Sequence, residues 1–72
     1  MTKTNELKAS LIRRGISLED LSDALGISRV SLSKKMNNHR EFKVSEIVKI
    51  TQFLQLTRDE RDVIFFGLKG DS

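Results

Sequence analysis

Apolar residues in this chain recur at helical spacing in five separate runs, and no run shows the strict alternation of a half-buried strand. The first run places Leu7, Leu11 and Ile12 on one stripe and predicts a helix from about Asn5 to Arg14. Gly15 closes it, since glycine takes the left-handed backbone that ends a helix cheaply. Leu18, Leu21 and Leu25 follow at spacings of three and four, predicting a second helix from 18 to 25 that Gly26 terminates. Ser17 and Asp20 stand three apart at its start, a capping box with Asp in place of the usual Glu. A third helix is expected over about Arg29 to Asn37, capped by Ser28, with Leu32 and Met36 inward and Asn37 and Asn38 as stop residues. Val44, Ile47, Ile50 and Leu54, widened by Val48 and Phe53, mark the apolar face of a fourth. Thr57 and Glu60 form a second capping box and open a fifth helix over Arg58 to Phe66, which Gly67 ends. Residues 69–72 are expected to fray. The pattern predicts an all-α chain, five short helices in one domain spanning 1–72.

The stretch from about 17 to 38 carries the most information. Two short helices are joined by Leu25-Gly26-Ile27-Ser28, a tight turn with one glycine between apolar anchors. This is the architecture of a helix-turn-helix, in which the second helix enters the major groove of DNA. Leu21, Leu25, Ile27 and Leu32 point into the angle between the helices, and Ser22 is small enough to let them approach. Any helical protein can contain such a turn, so the surface left after subtracting the core decides the matter. On the third helix Arg29, Val30, Ser33, Lys34 and Asn37 form one outward stripe. Arg suits guanine, Asn suits adenine and Val suits a thymine methyl. Lys35, His39 and Arg40 extend the basic surface as candidate phosphate contacts.

Composition and charge narrow the classes. The chain has 72 residues, enough for one core, and a chain this short buries only roughly 60% of its unfolded surface. Thirteen Lys and Arg against ten Asp and Glu give +3, a mild excess that by itself favours nucleic acid only weakly. Its distribution says more: residues 28–40 hold Arg29, Lys34, Lys35 and Arg40 with no acid. There is no cysteine, so thiolate metal sites and disulfides are excluded, and His39 is the only histidine. No metal site, cofactor loop or base for the serines is visible, and an enzyme is not expected. No signal peptide, membrane span or cationic membrane-surface helix is apparent, and the cytoplasm is the expected location.

Leu21 to Asn38, Leu-Ser-Asp-Ala-Leu-Gly-Ile-Ser-Arg-Val-Ser-Leu-Ser-Lys-Lys-Met-Asn-Asn, resembles the Cro/CI-type helix-turn-helix of temperate phage regulators. Glu41 to Ile47, Leu54 to Glu60 and Ile64 to Phe66 also resemble small phage regulators, so the similarity covers about residues 5–68. The nearest pattern is that of the short Cro and modulator-of-repression proteins of phage genetic switches. The resemblance implies a five-helix, lambda-repressor-like fold, no cofactor, and a role in choosing between lysogeny and lytic growth. By position it assigns Ser28, Arg29, Val30, Ser33, Lys34 and Asn37 to DNA-facing places, and Ser17 to a phosphate contact.

Two features depart from that family. The second helix carries Glu19, Asp20 and Asp23 and no base, where the family brings this helix toward the DNA backbone. Acids in a first turn suit the helix dipole, at about 0.5 kcal/mol each. They also suit contact with the basic DNA-binding helix of a CI-type repressor. The second feature is the apolar cluster Val63, Ile64, Phe65, Phe66 and Leu68, too wide for one stripe. Phe65 or Phe66 either completes the core or forms a contact with a partner or a second copy. The acidic helix and the lack of an obvious dimer element favour a modulator that complexes a CI-type repressor and alters its operator binding. A Cro-like repressor reading operator DNA through the third helix is the alternative. An antitoxin-like interaction protein ranks third, since little chain follows Leu68 to wrap a toxin.

Overall fold

Caps set most of the helix boundaries in the computed structural model, which describes residues 1–67. Five helices follow one another: α1 Thr4–Arg14, α2 Leu18–Leu25, α3 Arg29–Met36, α4 Val44–Leu54 and α5 Arg58–Phe66. Ser17 accepts a hydrogen bond from the Asp20 N–H (3.0 Å) while Asp20 accepts one from the Ser17 N–H (3.2 Å), so the short capping box is complete. Thr57 and Glu60 repeat the arrangement at α5. Gly26 ends α2 at φ 69°, where a side chain would be strained although nothing stands within 4 Å of the place a Cβ would take. Asn38 (φ 64°) and Gln55 (φ 55°) adopt left-handed backbone without being glycine.

Helix α4 lies at the middle, packed against α1, α2 and α5, while α3 leans chiefly on α2. Leu7, Leu21, Leu32 and Ile50, from four different helices, have no exposure and meet at the centre. Each such side chain contributes about 1.5–3 kcal/mol by leaving water. Phe42 and Leu56, in the segments before and after α4, are buried with the core. Arg14 fastens the far corner: its Nε donates to the Leu54 carbonyl (2.6 Å), and its guanidinium pairs with Glu60 (3.4 Å). The Thr57 N–H chiefly, with Arg14 adding, holds the Glu60 carboxyl below its ordinary pKa against the opposing effect of burial.

Several expectations need correction. Ile12 is 79% exposed, because the buried stripe of α1 is Leu7, Ser10 and Leu11, and Ile12 lies a further 100° round. Val44, Val48 and Phe53 do not join the apolar face of α4 and are exposed; Ile47, Ile50 and Leu54 suffice to cover its neighbours. Of the alternatives for the C-terminal cluster, Phe65 completes the core, buried edge-on against Phe42 with ring centroids 5.5 Å apart. Phe66 stays half-exposed. Helix α3 ends at Met36, and the left-handed stop is Asn38. Leu68 and the fraying expected at 69–72 lie outside the described residues.

Candidate nucleic-acid interface

Two stripes at helical spacing divide α3. Leu32, Lys35 and Met36 are buried. Val30, Ser33, Lys34 and Asn37 centre about 160° from them at the usual 3.6 residues per turn, and so lie on the other side of the helix, Ser33 at its margin. With Arg29 and His39, these four line a single open concavity. Val30 is 66% exposed at its centre, an apolar residue that the protein's own core leaves in water. Among the described residues no ion pair and no side-chain hydrogen bond engages Arg29, Lys34 or Asn37. Donors of that kind, uncommitted within the fold, can serve base edges and phosphates. The helix has eight residues, roughly 12 Å of rise, close to the width of the major groove.

The two capping serines flank this face. Ser28 and Ser17 each accept a backbone N–H with the hydroxyl oxygen (3.1 and 3.0 Å). Each hydroxyl retains its own proton to donate, as a phosphate contact needs. The turn between them is held by Leu21, Leu25 and Leu32 in the core, with Ile27 packed against it. Ser22 is buried at the same place and donates to the Glu19 carbonyl (2.9 Å), so no larger side chain separates the helices.

Lys35 does not extend the basic face. Its side chain turns inward and its ammonium meets both carboxylate oxygens of Glu46, at 2.7 and 2.5 Å, with both side chains under 10% exposed. Glu46 also accepts the Lys43 N–H at the start of α4 (2.8 Å). Burial pushes the Glu46 carboxyl up, but the Lys35 and Lys43 hydrogen bonds and charges outweigh it and hold it below its ordinary pKa. This pair ties α3 to α4 across the intervening loop. Arg40 is exposed but lines a different concavity, beside Phe42 and Phe66.

Long-range contacts anchor the other end of α3. The Asn38 side chain exchanges two hydrogen bonds with the Thr2 backbone (2.8 and 3.1 Å). Thr4 donates its hydroxyl to the Met36 carbonyl, and the Lys3 N–H reaches the Ile64 carbonyl (2.7 Å). The segment before α1 therefore straps the end of α3 to α5. Nothing in local spacing announces such a contact, because Thr2 and Asn38 are 36 residues apart. Lys35, by contrast, shares its stripe with Leu32 and Met36, so helical spacing alone turns it inward.

On α2, Asp20 is engaged in the cap, whereas Glu19 and Asp23 are exposed and make no ion pair among the described residues. Two capped helices at a glycine turn, the second presenting an unpaired basic and amide stripe, define a helix-turn-helix DNA-binding domain. The sequence model of the helix-turn-helix family matches residues 7–61, more than half of the chain, and the protein belongs to that family. No curated protein and no solved structure matches it. A DNA-binding transcription regulator is the function this family and this surface share.

Proposed function

We propose that the protein regulates a temperate-phage switch between lysogeny and lytic growth by reading operator DNA directly, with α3 in the major groove. One observation carries the reading: Arg29, Val30, Ser33, Lys34 and Asn37 stand together on the solvent side of α3. Arg29 and Asn37 serve as base readers, Val30 as the thymine-methyl contact, and Lys34, His39, Ser17 and Ser28 as phosphate contacts. The modulator reading rests on small size, the acidic second helix and the lack of an obvious dimer element, and one part of that support has another account. Asp20, one of the three acids behind that reading, is accounted for by its cap.

The modulator reading keeps one observation of its own. Glu19 and Asp23 stand one turn apart on α2, exposed and unpaired among the described residues, and would suit the basic helix of a CI-type repressor. Fluorescence anisotropy on the regulatory DNA beside the gene separates the two, with the protein alone and then with the neighbouring repressor. Tighter binding to that DNA than to a scrambled duplex by the protein alone is the expected result. No binding alone, with a changed repressor affinity that Glu19→Lys and Asp23→Lys abolish, would replace it with the modulator.

A further inference from the structure

Two consecutive asparagines follow the last turn of α3 and occupy different settings. The Asn37 side chain is exposed on the outward stripe. Asn38 has left-handed backbone (φ 64°), and its amide is engaged at both ends. Its Oδ1 accepts the Thr2 N–H (2.8 Å), and its Nδ2 donates to the Thr2 carbonyl (3.1 Å). A primary amide offers an acceptor and a donor side by side, so Asn can pair with a backbone N–H and C=O at once. It also tolerates the left-handed conformation, and one residue supplies both the turn and the bridge. The bridged segment is itself held in place. Thr2 is buried, the Lys3 N–H reaches the Ile64 carbonyl of α5 (2.7 Å), and the Thr4 hydroxyl donates to the Met36 carbonyl, one of those a helix end leaves unpaired.

We propose that Asn38 is a positioning residue for DNA reading: through Thr2 it fixes the last turn of α3 and, with it, the place of Asn37. The proposal rests on the reading of α3 as the helix that enters the groove. That helix leans chiefly on α2, and packing on one neighbour leaves its far end free to pivot. Ser28 caps its start and Leu32 holds its middle in the core. From Ser28 to Asn37 is roughly 14 Å at 1.5 Å per residue, so a tilt of about 5° about the cap moves Asn37 by about 1 Å. A recognition contact is lost within roughly 0.5–1 Å of displacement. Arg29, beside the pivot, hardly moves. Hydrogen bonds partly open to water add little net stability, so the bridge governs position more than folding.

Two variants open the bridge from opposite sides. Asn38→Gly keeps the left-handed turn and deletes only the side-chain amide. Thr2→Pro takes away the N–H donor without touching α3. In the free protein, amide hydrogen exchange should quicken in both at Asn37, Asn38 and His39 and stay unchanged at Leu32, near the start of the helix. Anisotropy on the regulatory DNA beside the gene reads the other half of the proposal, and each variant should bind about tenfold more weakly. Within Asn38→Gly, a further Asn37→Ala should cost under about twofold, whereas Arg29→Ala should cost as much as it does in the wild type. A general loosening of the fold would leave both costs at their wild-type size. That result, unchanged exchange at the end of α3, or wild-type affinity in the two variants would each overturn the proposal. A wild type that binds no DNA contradicts the reading of α3, and exchange then decides on its own whether Asn38 fixes the helix end.

Discussion

Lys34 and Lys35 are consecutive on α3 and occupy opposite environments. Lys34 stands in solvent beside Arg29 and Asn37, whereas Lys35 is folded inward onto Glu46. The outer face holds charges that the fold does not need; the inner face holds a charge that the fold cannot lose without leaving its partner buried. A lysine's contribution is thus set by its place on the helix, and identical chemistry is left free in solvent on one side and fixes α3 to α4 on the other.

Removing the inner partner should have the largest effect. Glu46→Ala leaves the Lys35 ammonium buried without a carboxylate and uncaps the first turn of α4, at about 3 kcal/mol of stability by urea unfolding. An unchanged midpoint would mean that Lys35 swings out to water at little cost, and the contrast with Lys34 would collapse. Arg29→Ala acts on the other face. It should weaken specific DNA binding by about 1–3 kcal/mol and relax selection at one base position, with unfolding unchanged within about 0.5 kcal/mol. Lys34→Ala should reduce the slope of log affinity against log salt by about 0.9, the share of one phosphate contact. Lys35→Met should leave that slope unaltered.

The smallest effect is on pH. Glu46 and Glu60 both ionise more readily folded than unfolded, so the folded chain binds fewer protons through the carboxylate range. Their stabilisation is complete above the ordinary carboxyl value near 4.5 and is lost as pH falls through the folded values. Urea midpoints should therefore decline on acidification, and less steeply in Glu46→Ala.

How much of this was visible in the chain follows from the range of each interaction. Capping boxes at Ser17 and Thr57, the glycine stops and the stripes of α2 and α3 involve residues three or four apart, and the helix bounds came out within a residue. The outward stripe of α3 was legible for the same reason. Apolar periodicity failed where a helix carries more apolar residues than its neighbours can cover, as at Ile12, Val44 and Phe53. The Lys35–Glu46 pair spans a loop, and the Thr2–Asn38 strap joins the start of the chain to its middle. Only the packed fold brings those groups together, so the tether of α3 could not be read from spacing.

Selection of duplexes from a randomised DNA pool, followed by anisotropy on the enriched sequence, tests most directly whether the outer face of α3 reads DNA. A short enriched motif, bound by the wild type but weakened in Arg29→Ala and Asn37→Ala, is the predicted result. No enrichment by the folded protein, or a motif bound equally well without Arg29 and Asn37, would contradict it.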